Sequence, residues 1–158
     1  MKKKIIIIAS IITILDQISK ILIKSMFNVG DSLKIIKNFF YIKYIKNYGA
    51  SWGVLSGYRL FLIIVGLLAV IIVFSYIKEL KNNKINTLGY SFLLGGIIGN
   101  LIDRIIYGYV IDFLDFIIFG YDYPIFNIAD TFIVLGGVFI IISMIKGDSN
   151  EISSKRKK

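Results

Sequence analysis

The chain has no histidine, no cysteine and one proline among its 158 residues. Without His or Cys it can build neither a Ser–His or Cys–His nucleophile nor a His- or Cys-ligated zinc site. Zero Cys also means no disulfide framework, so the redox compartment cannot be read from the sequence. No Pro/Gly/Ser-rich linker divides the chain, and no internal repeat is evident, so one domain over residues 1–158 is expected. Acidic residues are the minority, 10 against 19 Lys and Arg. That makes three of them conspicuous: Asp103, Asp112 and Asp130 stand at the edges of oily segments. A carboxylate near hydrocarbon is costly, and such a residue is a functional candidate by default. If this chain does hydrolytic chemistry, carboxylates are the leading candidates to carry it.

What is abundant is apolar sequence. Hydrophobic residues make up 56% of the chain, and they are gathered into long runs with few charges, which excludes a soluble all-α protein. Four stretches, about residues 5–23, 60–77, 88–107 and 128–145, are each close to the ~20 residues needed to cross a bilayer. The first follows Met-Lys-Lys-Lys in the manner of a signal peptide. It lacks a small-residue cleavage site and more spans follow, so an uncleaved helix is expected. The fold class is therefore an α-helical polytopic membrane protein. The second stretch carries no charge and reads as a lipid-facing or packing helix. Gly95, Gly96 and Gly99 in the third, and Gly136 and Gly137 in the fourth, allow close approach of helix backbones.

The net charge of +9 raises nucleic-acid binding, but the charges cluster at the ends of apolar segments, where membrane topology and anionic lipid place them. Nucleic acid is excluded as a partner and membrane lipid is expected. Lys2, Lys3 and Lys4, then Lys78, Lys81 and Lys84, then Lys146, Lys155, Arg156, Lys157 and Lys158 fall on one side of a four-span protein, the cytoplasm. Lys34, Lys37, Lys43 and Lys46 lie in the first external segment against this trend. The external parts are residues 25–58 and 108–127. In the first, residues 39–46 are rich in aromatic and β-branched side chains and read as a strand, followed by a Gly-rich loop over 47–53. The second holds Asp112, Asp115, Asp122 and the single proline, Pro124. The tail, 147–158, is polar and expected to be disordered and cytoplasmic.

This topology brings Asp16, Lys20, Asp103, Arg104, Asp112 and Asp130 to one membrane face, the external one. Asp16 and Lys20 are four residues apart and share a helix face, so they are expected to pair. Structural ion pairing is the preferred role for Asp16, Lys20, Asp103 and Arg104 together. Asn127 and Asp130 have the spacing of a helix N-cap and its third residue, a purely structural alternative for Asp130. Asp115 is expected on a solvated face. Two carboxylates held close share one proton. The ionised member can activate water while the protonated one donates to the carbonyl oxygen or leaving nitrogen of an amide. Spacing alone does not say which two aspartates these are.

Four blocks stand in order: Asp16-Gln17-x-x-Lys20, then Asn47-Tyr48-Gly49-Ala50-Ser51-Trp52-Gly53, then Gly95 through Arg104 running on to Gly108-Tyr109-Val110-Ile111-Asp112-Phe113, and finally Phe126-Asn127-Ile128-Ala129-Asp130. Together they resemble bacterial lipoprotein signal peptidase, the type II signal peptidase, an aspartyl membrane protease. The resemblance implies a catalytic pair at Asp112 and Asp130. It implies site-lining or bracing roles for Asp16, Lys20, Asn47, Gly49, Asn100, Asp103, Arg104, Asn127 and Ala129. It further implies no metal or other cofactor, and a small external β-like cradle over the membrane. The implied substrates are prolipoproteins, cut before their diacylglyceryl-modified cysteine by a monomeric multi-pass enzyme of the bacterial cell membrane. A small proton-coupled transporter is the alternative. It predicts charges near the midplane rather than at one face.

Overall fold

In a computed structural model of the protein, which describes residues 1–77 and 79–147, each apolar stretch becomes a helix. The tail beyond Gly147, with Lys155, Arg156, Lys157 and Lys158, and Lys78 of the topology reading lie outside the described residues. The helices are α1 (Lys2–Met26), α2 (Arg59–Ile77), α3 (Lys84–Ile106) and α4 (Ile128–Ile145). The shortest has 18 residues, about 27 Å at 1.5 Å per residue, and all four are long and apolar enough to cross a membrane. α4 has the expected bounds. α3 begins four residues earlier than expected because Asn83 caps it: its side-chain oxygen accepts from the Asn86 amide at 2.7 Å.

α3 is the central helix and packs against the other three. Its glycines explain how. A Cβ at Gly95 would meet the Ala9 carbonyl oxygen of α1 at 2.8 Å, and one at Gly96 would collide with that of Ala129 in α4. Backbone therefore rests on backbone, as small residues permit in a lipid solvent. Ile5, Ala9, Val73, Ile77, Tyr90 and Leu94 fill one core between α1, α2 and α3. α2 buries little else: Leu60, Leu68, Ile71 and Ile72 are among many apolar side chains left exposed. Outward apolar surface of this kind suits hydrocarbon, which fits the lipid-facing reading of the second stretch.

Outside the bundle lies a four-stranded antiparallel sheet in the order β1 (Ser32–Ile36), β2 (Phe40–Asn47), β3 (Val110–Ile118), β4 (Tyr121–Asp122). Only β2 is expected from the sequence, one residue earlier. β3 ties residues 108–127 to residues 25–58, pairing Ile45 with Asp112 and Tyr41 with Asp115. Asp112 and Asp115 thus lie on opposite faces of one strand. Asp115 is buried, and its Oδ1 has no hydrogen-bond partner, so the solvated face expected for it is corrected. Burial, with Asp122 nearby, raises its carboxyl above the usual range, partly offset by Lys43. The Phe126 carbonyl accepts from the amides of Phe113 and Leu114, and Phe116 stacks between Phe40 and Phe126. These contacts tie the strap before α4 to the sheet.

Candidate active site

Lys20 is the most voluminous of the fully buried side chains, only 1% exposed. A buried ammonium needs all three of its protons satisfied. Its Nζ lies 2.9 Å from Asp16 Oδ2 and 3.0 Å from Asp103 Oδ2, and it donates to Asn100 Oδ1 at 2.9 Å. The expected pairing of Asp16 with Lys20 is present, and Asp103 joins it. Removing one member of a buried ionic group leaves an uncompensated charge, at a cost of about 3–5 kcal/mol. Gln17, to which sequence reasoning gave no role, donates to Asp103 Oδ1 at 2.9 Å and to the Gly99 carbonyl at 3.1 Å. Its only sequence signal is that it is polar inside an apolar stretch.

Each of the two carboxylates also grips backbone. Asp16 Oδ1 accepts from the amide of Ala129 at 2.9 Å, and Asp103 Oδ2 accepts from the amide of Ile111 at 3.0 Å. Ala129 precedes Asp130, and Ile111 precedes Asp112.

Arg104 does not join this group, which corrects the expected four-residue pairing. Neighbours on a helix point about 100° apart, and the Arg104 guanidinium instead donates to the Gly49 carbonyl at 2.9 Å. Gly49 has no room for a side chain: a Cβ would meet the Val54 carbonyl oxygen at 2.5 Å. Arg59, at the start of α2, donates to the carbonyls of Arg104 and Ile105 at 2.9 Å each and closes the C-terminal end of α3. No local signal marks Arg59 for that task.

Asp112, 1% exposed, projects from β3. Its Oδ1 accepts from Asn127 Nδ2 at 2.6 Å and its Oδ2 from Asn47 Nδ2 at 2.9 Å. Burial pushes its carboxyl up to about 7, with the Asp130 charge adding to the shift. The hydrogen bonds from Asn47 and Asn127 and the charge of Lys20 pull the other way. Asp130 sits in the first turn of α4. Asn127 Oδ1 accepts from the Asp130 amide at 2.9 Å and Asp130 Oδ2 from the Asn127 amide at 3.3 Å, a complete capping box. Its other oxygen, Oδ1, accepts from Asn100 Nδ2 at 2.7 Å. The cap and the site are therefore not alternatives for Asp130, since one oxygen serves each.

Both aspartates line a cavity of about 630 Å³ together with Asn47, Asn100 and Arg104. Leu62, Val65, Ile133 and Val134 give it apolar walls. Trp52 and Tyr123, with rings 6.5 Å apart, line it as well. A cavity with apolar walls and a few convergent polar groups is where a ligand is expected to bind.

Four spanning helices, with buried Asp112 and half-buried Asp130 lining one cavity, define the class: a multi-pass membrane protein with carboxylates in its cavity. The family model for signal peptidase (SPase) II matches residues 8–146. The lipoprotein signal peptidase of Staphylococcus haemolyticus (strain JCSC1435) is 46% identical over 145 residues, covering 91% of each chain. That of Staphylococcus aureus (strain JH9) is 42% identical over 147 residues, covering 92% of this chain and 90% of its own. A solved bacterial membrane enzyme, determined by the in meso method at 2.3 Å resolution, superposes with a TM-score of 0.85 at 40% identity, covering 93% of this chain and 90% of that one. The chain belongs to the signal peptidase II family, and the transporter alternative is set aside.

Proposed function

We propose that this protein is an aspartic endopeptidase that removes the signal peptide of prolipoproteins, with Asp112 and Asp130 as its catalytic pair. The observation that carries the reading is that these two side chains, from β3 and α4, face one cavity and are joined through Asn127. Asp112 is raised towards neutrality partly by the charge of Asp130, which supports a pair that holds one proton near pH 7. The ionised member takes a proton from water, and the resulting hydroxide adds to the scissile carbonyl. The protonated member donates to the carbonyl oxygen. Collapse of the tetrahedral intermediate breaks the C–N bond, with a proton passed to the leaving nitrogen. Asn47, Asn100 and Asn127 orient the carboxylates, and Arg104 offers positive charge to the developing oxyanion.

The apolar cavity wall supports a substrate that enters laterally from the bilayer and is cut before its diacylglyceryl-modified cysteine. The lysine clusters support cytoplasmic termini, which leaves the site on the external face. One chain supplies every residue named here, in keeping with a single peptidase domain working as a monomer. Asp112→Asn and Asp130→Asn, each folded, are expected to lower cleavage of a lipid-modified prolipoprotein by about a thousandfold or more. Near-normal cleavage by either variant overturns the pair. Wild-type cleavage is expected to persist in excess chelator.

A further inference from the structure

We propose that Lys20 is a positioning residue that holds both arms of the carboxylate pair at once and sets the proton occupancy at which the pair works. The proposal rests on the catalytic reading of Asp112 and Asp130 above. Three contacts radiate from the Lys20 ammonium. Through Asp16 it holds the amide of Ala129, immediately before Asp130. Through Asp103 it holds the amide of Ile111, immediately before Asp112. Through Asn100 Oδ1 it fixes the side chain whose Nδ2 donates to Asp130 itself.

The two outer arms are alike in design. In each, a buried carboxylate receives Lys20 and also the backbone N–H of the residue before a working aspartate. The peptide groups that carry the pair come from β3 and α4, and a single cation on α1 ties both to the bundle. Asn100 cannot turn over in this setting. Its oxygen is held by Lys20 and by Asn127 Nδ2 at 3.1 Å, so its amide must donate towards Asp130.

Lys20 also acts by charge. It stands against the Asp16 and Asp103 carboxylates and offsets acidic charge next to the pair. Among the described residues, the charged or titratable groups facing this region include Arg104 from α3, the pair itself from β3 and α4, and Tyr44 from β2. Deleting the cation leaves two carboxylates uncompensated and favours protons on the pair. Deleting one carboxylate does the opposite. A side chain that merely filled space would produce neither effect.

The test is the pH profile of prolipoprotein cleavage by the full chain in detergent or lipid. Lys20→Met is expected to lower kcat at least tenfold with KM within about threefold, and to move the whole bell-shaped profile to higher pH. Asp103→Asn keeps an oxygen for the Ile111 amide and is expected to move the bell to lower pH. Lys20→Arg is expected to keep the wild-type position. An unmoved bell in folded Lys20→Met or Asp103→Asn, with activity lost only in proportion to folded protein, overturns the proposal. If Lys20→Met does not fold, Asp103→Asn decides. Failure of both to fold assigns the trio to structure alone and overturns it as well. Failure of the catalytic reading is separate, since it would show as cleavage by Asp112→Asn or Asp130→Asn.

Discussion

Asn127 donates to Asp112 Oδ1 at 2.6 Å from the same residue that caps the helix bearing Asp130. One side chain therefore uses its amide nitrogen on one aspartate and its oxygen on the first turn of the other's helix. The two tasks separate by substitution. Asn127→Ser keeps a hydroxyl for the cap but is too short to reach Asp112. It is expected to stay within about 1 kcal/mol of wild-type stability and to lose about a hundredfold in kcat. Thermal unfolding and steady-state cleavage, measured side by side, check the split; a parallel loss in both would reject it.

Two glycines in the packed helices make opposite predictions. A methyl at Gly96 would collide with the Ala129 carbonyl oxygen, in the turn that presents Asp130. Gly96→Ala is expected to destabilise by about 2 kcal/mol or more through overpacking and to impair cleavage. At Gly137 in α4 a methyl group would meet nothing within 4 Å, and Gly137→Ala is expected to be neutral or stabilising by up to about 1 kcal/mol. Melting temperatures of the two variants in one detergent decide the matter.

Asp112 links stability to pH. Its carboxyl stands at about 7 in the folded protein, above an unfolded value of about 3.9. Its contribution to stability is therefore fully present below about pH 4 and is lost as pH rises through about 7. Asp112→Asn, which cannot ionise, is expected to gain on the wild type across that window, by up to about 4 kcal/mol. Above pH 8 the gap is expected to be level. A difference in unfolding temperature that stays constant from pH 4 to 8 would contradict this. The variant would then be inactive yet more stable, as expected where function holds a carboxylate in a costly place.

The orientation has a direct readout because the chain has no cysteine of its own. Phe119 is fully exposed at the turn between β3 and β4. Phe119→Cys is expected to react with a membrane-impermeant thiol reagent added outside intact cells. Labelling only after the cells are opened would reverse the assigned topology.

Much of the fold is legible locally. Hydropathy suffices for four helices, and the end of α2 and both ends of α4 fall where the apolar runs end. β2 is legible from its aromatic and β-branched residues. β3 is not. Asp112, Asp115, Asp122 and Pro124 make its segment read as a polar connection, although Val110, Ile111, Phe113, Phe116, Ile117 and Ile118 are good strand formers. β1 is hidden in the same way by Lys34 within it and by Asp31 and Lys37 at its flanks. Asp115 misleads for a related reason, because exposure of a strand residue depends on which face its neighbours cover.

The order of residues alone thus specifies a four-span membrane protein whose chemistry rests on aspartates, and its motifs point to two of them. These are local properties, set by composition and by short spacings along the chain. It takes the folded molecule to turn Asp103 to Lys20 and Arg104 to the cavity, and to set Asp16 on the peptide before Asp130. Asp16 and Ala129 are 113 residues apart, and their contact depends on glycine-lined helix packing and on β2–β3 pairing across two separate segments. No short spacing encodes such a contact; it exists because a buried carboxylate must find donors, and the fold brings these within reach.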